Sequence, residues 1–184
     1  SAERRLGALA RARGFEHVVL SHEVVPEPGL LARLETTVVD AYLAPVLASY
    51  FDFLAKALPG SRIRAMRSDG SLASRERFRG RDAALSGPAG GLVAASAVVS
   101  MLGLEGALAF DMGGTSTDVS RVPRTPLPEP EGRVAGLAIR APMLAVHTIA
   151  AGGGSVCRVE VGRLVVGPES VGADPGPLCY GRGD

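Results

Sequence analysis

The stretch AFDMGGTSTDVS, Ala109 to Ser120, decides how the rest of the chain is read. An apolar run ends at Phe110 and reads as a buried strand, with Leu108, Ala109 and Phe110 inside. The chain then passes through Asp111, the glycines Gly113 and Gly114, the hydroxyls of Thr115, Ser116 and Thr117, and a second carboxylate at Asp118. Glycine permits positive φ and a close approach by another molecule's oxygens. Successive main-chain N–H groups in such a bend form an anion-binding concavity. A carboxylate beside that concavity repels phosphate unless a divalent cation stands between them, and Mg²⁺ that keeps several waters is the usual one. The pattern therefore points Asp111 at a hydrated metal, and the glycines and Thr115 at phosphate oxygens. A plain β-hairpin fits the same residues, because Gly-Gly turns join strands and a turn aspartate can bond its own backbone. The residues alone leave both readings open. They do exclude a P-loop, since no Gly-Lys-Ser/Thr follows, and the dinucleotide fingerprint, since the GxGxxG spacing is absent.

Two more glycine clusters flank this stretch. AAGGGSV, Ala150 to Val156, puts Gly152, Gly153, Gly154 and Ser155 between strand-like runs. It reads either as a loop against which a nucleotide packs or as a bend where two elements approach closely. SGPAGG, Ser86 to Gly91, starts an Ala/Val helix ending near Leu102, with Pro88 in its first turn. It reads as a plain helix start or as a helix end aimed at phosphate. Further upstream, Ala2 to Arg13 reads as a short helix ended by Gly14, and FEHVVLS, Phe15 to Ser21, as a buried strand. From Leu31 to about Leu58 a helical pattern recurs through Leu34, Val38, Tyr42, Val46, Phe53 and Leu54, with Pro45 expected to kink or split it. IRAMRS from Ile63 is a strand leaving through Asp69-Gly70. GALAF and TSTDVSRV are partner strands, and Pro123 to Gly132 is a Pro-rich loop. VAGLAIR, VHTIA, SVCRVEV and RLVVG read as strands, and the last segment as irregular. Helices alternate with strands early and strands dominate later, so the fold class is α/β with a mixed sheet.

Composition narrows the class. The chain has 184 residues, 46% hydrophobic and 21% charged, with no Trp and a net charge of +1. That near-neutral balance gives no global pull toward nucleic acid or membrane. No apolar stretch reads as membrane-spanning, and the Arg-rich start is not a signal peptide. Lys56 is the single lysine, and Arg75, Arg77, Arg79 and Arg81 read as a solvated face. Cys157 and Cys179 are too far apart to form a metal-type pair, so a reducing, cytoplasmic setting is the default. Cys157 reads as a buried inert thiol and Cys179 as more exposed. His17, His22 and His147 are dispersed and read as structural. Glu169, Asp174 and Asp184 read as carboxylates that solvate loops.

Five stretches taken together carry a resemblance: SDGSLAS, LSGPAGGLVAAS, FDMGGTSTDVS, HTIAAGGGSV and VGPESVGADPGPLCYGRGD, in that order. From about SHEVV onward the chain closely resembles the hydantoinase A/5-oxoprolinase family, which includes N-methylhydantoinases, 5-oxoprolinases and subunits of acetone and acetophenone carboxylases. The resemblance implies an RNase H-like lobe of the actin/sugar-kinase ATPase type, present as a partial domain. It implies ATP and Mg²⁺ as cofactors and a small cyclic amide as substrate. Asp111, Gly113, Gly114, Thr115, Ser116 and Thr117 then fall on the second phosphate-binding hairpin, and Gly152 to Gly154, with Ser155, on a loop near the nucleotide. Asp111 and Asp118 become the catalytic carboxylates, and Asp111 the metal ligand. The family carries an earlier Asp-Gly-Gly-Thr hairpin on a first lobe, and this sequence holds only one such hairpin. The expectation is a fragment of a nucleotide-binding domain, inactive alone, with residues 1–105 an α/β portion and 106–184 the hairpin and glycine-loop portion. Its partners would be the missing first lobe and a companion subunit, with no nucleic acid and no membrane. A ketone-activating carboxylase subunit and a non-catalytic partner-binding module remain as other readings.

Overall fold

A computed structural model describes residues 2–182, so Asp184 lies outside the described residues. The chain divides into two compact units, one formed by Ser1–Val93 and Leu127–Ala145, the other by Ala94–Pro126 and Val146–Asp184.

In the first unit, helix α1 (Ala2–Ala12) is tied to a short helix, α2 (Ser21–Val24). Gly7 lets α1 approach Leu20, whose Cδ2 would stand 2.7 Å from any Cβ at that position. Glu3 accepts hydrogen bonds from the Ser21 N–H and from His22 Nδ1, the latter at 2.7 Å. The expected strand from Phe15 to Ser21 does not form; the segment is unpaired until α2 begins. Apolar alternation proposes a strand, but only a partner's N–H and C=O groups complete one.

Helix α3 (Leu30–Ala57) runs through Pro45 as one element and is not split. Its packed face is partly polar. Thr36 and Asp40 are buried, and so is Phe51, which stacks edge-on against Phe78. Thr36 Oγ1 accepts the Arg140 N–H at 2.9 Å, and Asp40 Oδ1 accepts the Arg81 N–H at 2.9 Å. The apolar series chosen from spacing lies largely on the other side: Val38, Tyr42, Val46 and Phe53 are all more than half exposed. By length and composition, Arg33–Ala57 is also apolar enough to cross a membrane, contrary to the sequence expectation. Buried Asp40 and Thr36 nonetheless fix one side of it within this unit.

The strand expected from Ile63 is shorter than the sequence suggests, β1 (Ala65–Met66), and around Asp69-Gly70 it pairs with β2 (Leu72–Ala73), which the sequence did not single out. Asp69 Oδ1 accepts the Ser71 N–H at 2.8 Å, and Gly70 has φ +81°. Of the four arginines read as a solvated face, Arg81 turns inward and donates to the Val24 carbonyl. Strands named from the later sequence also appear here, with one change. VAGLAIR is not one strand but contributes to two, β5 (Gly132–Val134) and β6 (Leu137–Ile139), joined through Ala135-Gly136 at positive φ. Ile139, Ala141 and Met143 form one buried apolar cluster of the unit, packed by Val39, Leu85 and Val134.

Helix α4 (Ser86–Met101) starts at SGPAGG as the sequence indicates and continues into the second unit. There, Ser96 Oγ donates to the Pro123 and Arg124 carbonyls. Strands β3 (Gly106–Met112), β4 (Thr117–Pro123) and β7 (His147–Ile149) form a sheet in the order β3-β4-β7. β8 (Ser155–Glu160) and β9 (Arg163–Ser170) form a separate hairpin. Every strand pairing among the described residues is antiparallel, so the expected mixed sheet is replaced by several small antiparallel ones. β3 is one edge of this sheet and β7 the other. Leu108 and Phe110, expected inside, are 80% and 68% exposed, because no described residue covers the face of β3 that carries them.

Candidate functional site

β3 and β4 keep strict register to the turn, with Asp111 opposite Asp118 and Met112 opposite Thr117. The two carboxylates therefore start from neighbouring backbone positions on one face of the ladder, an arrangement that like charges disfavour. Thr148 on β7 stands opposite Asp118, and its hydroxyl donates to Asp118 Oδ1 at 2.7 Å. Asp111 is exposed and its carboxylate has no hydrogen-bond partner among the described residues.

The turn itself is Gly113 to Ser116, closed by the Gly113 N–H on the Ser116 carbonyl at 2.9 Å. The glycine loop after β7 packs against it, so the structure brings the two glycine motifs together. The Gly153 N–H donates to the Gly113 carbonyl at 2.9 Å, and the Gly154 N–H to the Gly114 carbonyl at 2.8 Å. A trans peptide holds its N–H on the side opposite its C=O. The N–H groups of Gly114 and Thr115 therefore face away from the glycine loop. With that of Ser116, they have no acceptor among the described residues, and Gly114 and Thr115 are exposed.

Glycine is required in this pair of loops for a different reason from the one expected. Neither Gly113 nor Gly114 has a φ in the left-handed region. A Cβ on Gly114 would meet nothing within 4 Å, and one on Gly113 only the Ser116 carbonyl at an ordinary 3.6 Å. Gly152 is the sterically obligatory one. It is buried, and a Cβ there would fall 2.6 Å from the Gly113 carbonyl oxygen and 2.7 Å from the Thr115 nitrogen. A Cβ on Gly154 would sit 3.0 Å from the Gly114 carbonyl oxygen.

Several expected ligand groups are spent on building the turn. Thr117 is buried and its hydroxyl donates to the Ala151 carbonyl at 2.6 Å. Ser155 Oγ accepts the Gly152 N–H at 3.0 Å. The outward-facing groups that remain are the Asp111 carboxylate, the free turn amides and the exposed Thr115. Sequence reasoning missed Thr148 as the residue that orients Asp118, although HTIAAGGGSV contains it; the signal is the two-residue alternation that puts a hydroxyl on the strand beside Asp118.

Elsewhere, Cys157 is exposed rather than buried, because among the described residues β8 pairs only with β9; Cys179 is exposed as expected, and both thiols are free. Glu169 lies on β9 rather than in a loop and pairs with Arg158 at 2.6 Å. Among the described residues no group of three or more His, Cys, Asp or Glu side chains is placed to hold a metal.

The chain belongs to the hydantoinase/oxoprolinase family, whose model matches residues 33–184. It is 47% identical over 180 residues to 5-oxoprolinase 1 of Arabidopsis thaliana, covering 95% of this chain and 14% of that protein. It is 39% identical over 193 residues to the caprolactamase subunit alpha of Pseudomonas jessenii, covering 100% of this chain and 28% of that subunit. The solved ATP-dependent caprolactamase from the same organism superposes with TM-score 0.74 at 37% identity, over 98% of this chain and 27% of that one. A nucleotide-free acetone carboxylase shares the fold, with TM-score 0.75 at 24% identity over 92% of this chain and 26% of that one. The chain thus spans about one-seventh of the 5-oxoprolinase's length and about a quarter of the caprolactamase subunit's.

Proposed function

We propose that this chain supplies the phosphate-receiving turn of an ATP-dependent enzyme that opens a small cyclic amide. The observation that carries the reading is the turn's one-sided polarity. Its two glycine carbonyls bond the glycine loop, while the N–H groups of Gly114, Thr115 and Ser116 have no acceptor among the described residues. Successive free amides of this kind are an anion receptor. Gly113 and Gly114, which neither φ nor packing within the chain requires to be glycine, leave room for phosphate oxygens to approach the backbone.

Asp111 fits a hard divalent cation, being an exposed carboxylate free of hydrogen bonds beside that receptor. When bound, Mg²⁺ would neutralise charge on the phosphates. Asp118, oriented by Thr148, is the second carboxylate of the site and the proposed acceptor of the proton from an attacking water. In the reaction proposed, the ring-amide oxygen attacks the γ-phosphorus and the bond to the ADP oxygen breaks. Water then adds to the activated carbon and the ring C–N bond breaks, the nitrogen taking a proton and leaving an acyl phosphate; a second water hydrolyses that acyl phosphate to a carboxylate and inorganic phosphate. The turn amides act by positioning and charge stabilisation, which dominate phosphoryl transfer.

The relatives support this reading by their names, an oxoprolinase and an ATP-dependent caprolactamase. A companion subunit is proposed by analogy with the caprolactamase subunit alpha. The cytoplasm is proposed as the setting, in keeping with two free thiols. The deciding test is ATP hydrolysis by the full-length protein, with any companion subunit, in the presence of 5-oxoproline, hydantoin or caprolactam. The reading requires ring-dependent turnover that Asp111→Asn lowers by about 10²–10³; turnover indifferent to that substitution overturns it.

A further inference from the structure

The β8–β9 hairpin pairs with no other strand among the described residues. A two-stranded hairpin is marginally stable in water unless something packs on one of its faces. Here the faces differ. Cys157 stands opposite Val166 and Val159 opposite Leu164, so strand alternation puts all four side chains on one face. Val159 and Leu164 are 71% and 72% exposed, and Cys157 and Val166 are exposed beside them. The opposite face carries Arg158, Glu160 and Arg163, and Arg158 donates to Glu160 and Glu169, both at 2.6 Å. That face is suited to water; the apolar one is not, and a contiguous exposed apolar patch marks a site of interaction.

The tip repeats the point. Glu160 pairs with Arg163, which leaves Val161-Gly162 as a two-residue turn with φ of +48° and +74°. Such turns favour Asn-Gly or Asp-Gly, and a positive φ is an outlier for a β-branched residue. Val161 adopts it with its side chain fully exposed. Backbone strain of this kind, with no packing among the described residues to offset it, points to a role outside them. The base of the hairpin is fixed to the glycine loop. β8 begins at Ser155, directly after Gly154, and beyond β9 the Val171 N–H donates to the Gly154 carbonyl at 2.9 Å.

We infer that the apolar face and tip of this hairpin dock an apolar segment of the same polypeptide that lies outside residues 1–184, and so hold that segment against the glycine loop. The occupant follows from chain length. This stretch makes up 14% of the 5-oxoprolinase and 28% of the caprolactamase subunit, so most of each polypeptide lies outside it. A tethered segment meets the face at an effective concentration of about millimolar, which a second copy or a separate subunit must match by affinity alone.

The test is maleimide labelling of the full-length protein, with the modified cysteines located by mass spectrometry. Cys157 lies on the apolar face and reads its cover directly. In the native protein alone, at every protein concentration, Cys157 should label at least about tenfold more slowly than in the urea-unfolded chain, since a covered thiol reacts only from opened states. Val161→Asn suits the turn but removes the apolar tip. It should raise the native labelling rate about tenfold, the scale of one buried valine side chain lost. Native labelling as fast as in the unfolded chain overturns the inference, and so does an unaltered rate in Val161→Asn. Protection that grows with protein concentration would assign the face to a second copy, and protection that needs an added companion subunit would assign it to that subunit; either result also overturns it. Labelling requires neither ATP nor a ring substrate, so its outcome is independent of the function proposed above.

Discussion

Gly152 and Gly113 touch backbone to backbone: a methyl group added to Gly152 would lie 2.6 Å from the Gly113 carbonyl oxygen, closer than any Cβ can stand. The contact locks the glycine loop onto the hairpin turn. Gly152→Ala must push the two apart, at about 1–3 kcal/mol, the usual cost of overpacking. Thermal unfolding followed by circular dichroism should show a clear fall in Tm. An unchanged Tm would mean that the loops do not pack as described.

Gly114→Ala gives the opposite expectation. Its Cβ would enter open space at an unstrained φ, so stability should change by less than about 0.5 kcal/mol, as at ordinary surface sites. Nucleotide binding should nevertheless weaken, because the added methyl occupies the space proposed for a phosphate oxygen. Comparing Tm with ATP affinity in this variant separates the receptor from a plain hairpin, for which neither quantity should move.

Asp111→Asn should cost about 10²–10³ in kcat, the scale seen when one charge-stabilising group is lost. It should not destabilise the fold, since Asp111 is exposed and faces the like charge of Asp118 across the ladder. Steady-state kinetics beside a melting curve reads both quantities.

Thr148→Val removes the hydroxyl that holds Asp118 and keeps the branched shape. About 0.5–1.5 kcal/mol of stability should be lost with that hydrogen bond. The signature of positioning is kinetic: kcat should fall while KM for ATP holds, and Thr148→Ser should restore much of the rate. A variant that unfolds earlier but turns over normally would make Thr148 purely structural.

The junction of α1 and α2 has a pH dependence of defined sign. Hydrogen bonds from His22 and then Ser21 lower Glu3 from its ordinary 4.5 to about 2. A carboxyl whose folded pKa is depressed adds stability above its unfolded value and loses it as pH falls through the folded one. The attachment of α1 should therefore be fully present above about pH 4.5 and weaken progressively toward pH 2. Amide hydrogen exchange in α1 should accelerate over that window in the wild type, and Glu3→Gln should flatten the response.

What could be read from the sequence was local. The hairpin at Asp111 to Asp118, the turn at Asp69-Gly70 and the start of α4 at Ser86 all emerge where predicted, because each depends on neighbouring residues. What failed was non-local. Phe15 to Ser21 has strand composition without a strand partner, and the Val38, Tyr42, Val46 series marks a helix but not which side of it is packed. Leu108 and Phe110 are apolar enough for a core, yet no described element packs over the sheet face that carries them. The triple glycine was visible as a motif, but the reason for Gly152 was not, since the carbonyl it accommodates belongs to a distant turn. Thr117 and Ser155 look like ligands in a string of hydroxyls; only their hydrogen bonds show them serving the scaffold.

Because the Gly113 and Gly114 carbonyls are pinned by Gly153 and Gly154, neither peptide plane can rotate without breaking a bond to the neighbouring loop. The dipoles that would meet an anion are thus set before it arrives and stay set after it leaves. Under the proposed function, an arriving phosphate would have no backbone to reorient, and a departing one would leave no relaxed turn to be rebuilt for the next cycle.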